Sequence, residues 1–141
     1  NPYGDTYNAD HVSQFVEILI TLGSDIISLA DTVGVAQPDK IRALFQQLSN
    51  AHPDQEIGAH LHSNPATSLE KIKAAYEAGC KRFDGAIYGF GGCQMAEDKL
   101  VGNMATEKIV GFLKDRGEDM GIDQEEFEKA MILANKILGK H

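Results

Sequence analysis

The chain has 141 residues, 43% hydrophobic and 24% charged, the composition of one globular domain with its own core rather than of a disordered segment. A formal charge of -8 repels phosphate backbones, and no basic stripe with interleaved aromatics offsets it, so nucleic acid is not expected as a partner. No apolar run is long enough to span a bilayer and no signal peptide stands at the start, so the expectation is a cytoplasmic protein with no membrane role.

The first helix signal is Val12, Phe15, Val16 and Leu19, apolar at helical spacing and ending at Gly23. Asp25 to Ala30 reads as a short strand, with Asp31-Thr32-Val33-Gly34 as its polar end and the loop beyond. Pro38, with Asp39 in the first turn, opens a second helix that carries Ile41, Leu44, Phe45 and Leu48 and breaks at Ala51-His52-Pro53-Asp54. A strand is predicted over residues 56 to 62. The helix after it starts near Asn64-Pro65 or Ser68, points Leu69, Ile72 and Tyr76 inward and closes at Gly79. A third strand, Lys81 to Tyr88, leads into Gly89-Phe90-Gly91-Gly92-Cys93. Asn103 precedes a helix with Ile109, Val110 and Leu113. Asp123 with Glu126 forms a capping box for a last helix, on which Phe127, Ala130, Met131, Ala134, Ile137 and Leu138 make one apolar stripe.

Strands alternating with helices imply an α/β fold with a parallel sheet. Such folds bind ligands at strand C-termini, and three polar clusters fall there: Asp31-Thr32, His60/His62 and Cys93/Asn103. A strand period of two places His60 and His62 on one face. They are either half of a metal platform or two histidines hydrogen-bonded to backbone and water. As ligands beside amide or carboxylate oxygens they suit a borderline or hard divalent ion. Cys93, in a glycine-marked loop, is either a reactive thiol or an incidental one, whereas Cys80 beside Gly79 reads as a packed side chain. Two cysteines are too few for a disulfide framework, so both are expected reduced. Asp31 could cap a helix and Asn103 could start one; the run Glu125-Glu126-Phe127-Glu128 reads as a solvated helix face.

Ser28-Leu29-Ala30-Asp31-Thr32-Val33-Gly34, Ala59-His60-Leu61-His62, Gly89-Phe90-Gly91-Gly92-Cys93 and Gly102-Asn103-Met104-Ala105-Thr106-Glu107, in this order and spacing, closely resemble the hydroxymethylglutaryl-CoA lyase family. The resemblance implies the C-terminal part of a TIM (β/α)8 barrel plus C-terminal helices, with residues 1–141 as one partial domain and Asn1-Pro2-Tyr3-Gly4 at the end of the fifth barrel strand. The absence of an initiator methionine fits a piece of a longer polypeptide. Implied too is a divalent metal, Mg²⁺ or Mn²⁺, on His60, His62, Asn103 and an aspartate of the first barrel strand that this chain lacks. Cys93 carries over as the catalytic thiol, His60 or the lacking aspartate as the base, and Asp31 and Thr32 as pocket lining. The implied reaction is retro-Claisen cleavage of 3-hydroxy-3-methylglutaryl-CoA to acetoacetate and acetyl-CoA. One departure stands out: after the second histidine the family continues Asp-Thr, and this chain reads Ser63-Asn64. The expected partners are an acyl-CoA substrate and the complementary N-terminal half-barrel or a second copy in a homo-oligomer, with little or no activity in this part alone. The alternatives are a synthase of the same superfamily, which the Cys93 loop disfavours, and a non-catalytic interaction module.

Overall fold

The computed structural model describes residues 8–93, 96 and 101–139, so the expectation for Asn1 to Gly4 lies outside the described residues. Helix α1 (Ala9–Thr21) starts where Asn8 Oδ1 accepts the His11 N–H at 2.8 Å, satisfying a donor that the first turn leaves free. It ends where Gly23 takes a φ of +88° that a residue with a Cβ avoids. Strand β1 (Ile26–Asp31) and strand β2 (Glu56–Ser63) pair in parallel over their whole overlap, Ala30 opposite His60 and Asp31 opposite Leu61. Helix α2 (Pro38–Ala51) crosses between them, and helix α3 (Ser68–Glu77) leads from β2 to β3 (Arg82–Phe83), which pairs with β2 in parallel.

The alternation within the strands makes two unlike faces. Ile27, Ile57, Ala59 and Leu61 are buried against α2 and α3, whose Phe45, Leu48 and Ile72 are almost completely enclosed. Each such side chain contributes about 1.5–3 kcal/mol by leaving water. The other face, with Ile26, Ser28, Ala30, Glu56 and His60, is largely open.

Two expectations change. The third strand was expected to run from Lys81 to Tyr88, but β3 stops at Phe83: Ala86 turns away to bridge Ala105, giving its N–H to Met104 O and accepting from Thr106 N, both at 2.9 Å. A 3-10 turn (Ile87–Gly89) follows, and a two-residue strand β4 (Gly102–Asn103) pairs antiparallel with the end of β2. Leu69 is exposed, because the buried stripe of α3 runs through Ser68, Lys71, Ile72 and Ala75. Helix α4 (Thr106–Lys114) buries Ile109, Val110 and Phe112. Helix α5 (Gln124–Leu138), capped by Asp123 as expected, fully buries none of its residues: Phe127, Met131, Ala134 and Leu138 of its apolar stripe are half-buried, and Ala130 and Ile137 are exposed.

Candidate active site

The end of β2 brings the two histidines together, with ring centroids 5.3 Å apart and planes near perpendicular. His62 is buried, and its Nδ1 lies 3.1 Å from the main-chain oxygen of Asp31. A carbonyl can only accept, so Nδ1 carries the proton and Nε2 keeps a free lone pair. His60 is more open, with Nδ1 3.5 Å from Asp84 Oδ2, a carboxylate that also accepts from Ser28 Oγ at 3.1 Å and has Arg82 Nε 3.8 Å from its other oxygen. Both imidazoles therefore face acceptors through Nδ1, which is how metal-binding histidines are commonly oriented.

Asn103 stands directly opposite His62 across the β2–β4 bridge, so the two side chains leave the same side of the pair. Its amide Nδ2 donates to Phe90 O at 2.8 Å and its main-chain N–H to Gly91 O at 3.1 Å. With the amide nitrogen committed, Oδ1 is the atom left for a ligand. The same bonds tie the cysteine loop to β4, and the fit is close: a Cβ on Gly89, at φ +65°, would meet Asn103 O at 2.7 Å. Cys93 at the end of that loop is partly exposed. Cys80 is enclosed, its Sγ 3.0 Å from Arg82 O, and burial pushes its thiol up to about 12, so it is a packed thiol.

Two imidazole nitrogens and one amide oxygen suit a hard or borderline divalent ion and leave about half of an octahedral shell to be filled from elsewhere. Among the described residues no three His, Cys, Asp or Glu side chains converge, in keeping with that partial set.

Asp31, expected as pocket lining, is held within the chain. It is buried, with Oδ1 accepting from Val35 N at 3.1 Å and Oδ2 from Ala36 N and Lys71 Nζ, both at 2.9 Å. With both oxygens occupied, its carboxylate organises the turn after β1. Thr32 beside it is exposed. Ser63, noted above as a departure from the expected motif, is buried with Oγ 3.3 Å from Met104 Sδ. Sequence reasoning missed Lys71 and Asp84. Lys71 carried a signal, being a charge inside the apolar stripe of α3. Asp84 follows the third strand directly.

The solved hydroxymethylglutaryl-CoA lyase of Bacillus subtilis superposes with a TM-score of 0.87 at 30% identity, covering 99% of this chain and 47% of that one. The α/β architecture is thus an arc of a TIM barrel. The HMGL-like family model matches residues 3–133, and the chain belongs to that family. The (R)-citramalyl-CoA lyase of Chloroflexus aurantiacus is 34% identical over 86% of this chain and 38% of its own length. The hydroxymethylglutaryl-CoA lyase of Bacillus subtilis is 30% identical over 99% of this chain and 46% of its own length, so this chain spans less than half the length of these relatives. No helix among the described residues is long and apolar enough to cross a membrane.

Proposed function

We propose that this chain is the C-terminal part of a CoA-ester lyase that cleaves a carbon–carbon bond in a tertiary 3-hydroxyacyl-CoA, with 3-hydroxy-3-methylglutaryl-CoA as the first substrate to test and citramalyl-CoA as the second, since relatives of both names match. The observation that carries this reading is Asn103. It sits opposite His62, and it also bonds Phe90 and Gly91 of the loop that ends at Cys93, which supports reading the histidine pair and that loop together.

Mg²⁺ or Mn²⁺ would be held by Nε2 of His60, Nε2 of His62 and Oδ1 of Asn103, with the remaining ligands from the rest of the barrel. When bound, the ion supplies Lewis acidity that lowers the pKa of the substrate hydroxyl. Two roles were expected of His60, ligand and base. Because its Nδ1 faces Asp84, one free nitrogen cannot serve both, so we assign it the ligand role and leave the hydroxyl proton to a carboxylate of the rest of the barrel. Cleavage transfers the bonding electrons to the thioester enolate, and Cys93 donates its Sγ proton to the enolate carbon to complete acetyl-CoA. Closing the glycine loop keeps water from quenching that carbanion first.

The partner that completes the site is the other half of a barrel. Among the described residues β1 pairs on one edge only, and α1 with its C-cap exposes Phe15 at 67%, Ile18 at 52% and Leu22 at 76%. Free Cys80 and Cys93 agree with a reducing, cytoplasmic setting.

The test is cleavage of both thioesters with Mg²⁺ or Mn²⁺ by this chain alone and with the complementary half-barrel added. Turnover is expected only in the mixture and is lost with Cys93→Ala. Robust turnover by this chain alone would refute the need for a partner; no Mn²⁺ binding in either preparation would refute the metal platform and favour a non-catalytic module.

A further inference from the structure

Lys71 is the only buried lysine among the described residues, and its ammonium is saturated: Asp31 Oδ2, Gly34 O and His62 O each accept from Nζ at 2.9 Å. Reaching up from α3, it joins the end of β1, the turn after it and the end of β2. Two of these acceptors bear on the same imidazole. Asp31 supplies the main-chain oxygen that faces His62 Nδ1, and His62 O belongs to the residue that carries the ring. Gly34, at φ +73°, permits this approach, because a Cβ there would lie 3.2 Å from His62 O.

We propose that Lys71 is a positioning residue of the candidate active site: by clamping Asp31 and the main chain of His62 together it locks His62 in the Nδ1–H tautomer and leaves Nε2 as the metal-binding atom. The proposal rests on the reading of His60 and His62 as a metal platform. Its rival is a purely structural role, in which Lys71 only neutralises the buried carboxylate of Asp31.

The paired variant Asp31→Asn/Lys71→Met separates the two, because it removes both charges at once, retains the main-chain carbonyl at residue 31, and spares the fold an uncompensated buried ion. Two readouts are taken on folded, otherwise unaltered chain: the tautomer of His62 from imidazole nitrogen chemical shifts without metal, with His11 and His52 as internal controls, and Mn²⁺ affinity by calorimetry. In the wild type His62 is expected as Nδ1–H. In the paired variant that tautomer should fall to a mixture and Mn²⁺ affinity should weaken roughly tenfold or more, with the controls unchanged. A paired variant that keeps both the tautomer and the affinity overturns the proposal in favour of charge neutralisation. A wild type found as Nε2–H overturns it whether or not the variant folds. If the wild type binds no Mn²⁺ but the tautomer still shifts in the variant, the positioning role stands and only the metal reading fails.

Discussion

His60 and His62 are two residues apart on one strand, yet they are held by opposite means. The side chain of His60 is 43% exposed and faces a carboxylate that is itself 34% exposed, on the open side of the sheet. His62 is 7% exposed, covered by the β4 segment, and tied through main-chain oxygens to a saturated buried ammonium. One half of the proposed platform is thus held by this chain's own packing. The other half depends on solvent-facing charges that the rest of the barrel would enclose. Burial decides the difference, because an ion pair counts for little where water competes and breaking one is costly where water is excluded.

The harshest way to break this contrast is Asp31→Ala. It strands Lys71 without its counter-charge and frees the N–H groups of Val35 and Ala36, so chemical denaturation should show a loss of about 3–5 kcal/mol. A loss below about 1 kcal/mol would place the clamp in the same class as the surface pairs. Next is Gly89→Ala, which forces a side chain onto a φ of +65° and against Asn103 O. It should cost about 1–3 kcal/mol, or displace β4 and weaken Mn²⁺ binding without that cost. Neither effect would mean that the glycine loop is not docked on Asn103. On the open side, Asp84→Asn should change stability by less than about 1 kcal/mol yet lower Mn²⁺ affinity several-fold, roughly tenfold at most. A large stability loss there would erase the distinction between the two histidines.

How much of this was legible in sequence follows from the distance over which each feature is decided. Helix α2 announced itself through Pro38 and the apolar spacing of Ile41, Phe45 and Leu48, and the histidine strand through its period of two, since both patterns are local. The third strand was overextended because Gly85 and Ala86 look strand-like until Ala105 draws them off the sheet. Asn103 was selected by motif, but its position opposite His62 depends on a two-residue bridge too short to leave a pattern. The contact of Asp31 with Lys71 was not legible because the two lie 40 residues apart, and Asp84 went unnoticed because it meets Ser28 across 56 residues. The residues proposed to bear ligands were visible. Those that orient them were not, because orientation comes from packing.

A third carboxylate, on the surface and far from the histidines, calibrates the exposed end of the comparison. Glu118 accepts from the Tyr76 hydroxyl and lies 3.3 Å from Lys81 Nζ. The tyrosine hydrogen bond first, and then Lys81, lower its pKa below the ordinary 4.5. Tyr76 moves the opposite way, raised above 10.0 first by the same hydrogen bond and then by burial. The signs define the window. A lowered carboxyl stabilises the fold above its unfolded pKa and stops doing so as pH falls through the lowered value; a raised phenol stabilises below its unfolded pKa and stops as pH rises through the raised value. The pair therefore contributes across neutrality and fades at both ends. Glu118→Gln keeps an acceptor and removes the charge, so its thermal midpoint should lie slightly below wild type at about pH 7, with the gap closing toward about pH 3. A gap that stays constant over that range would show that the carboxylate charge is not what steadies this corner. A gap as large as that of Asp31→Ala would mean that exposure does not set the strength of ion pairs in this fold, and the contrast between His60 and His62 would need another cause.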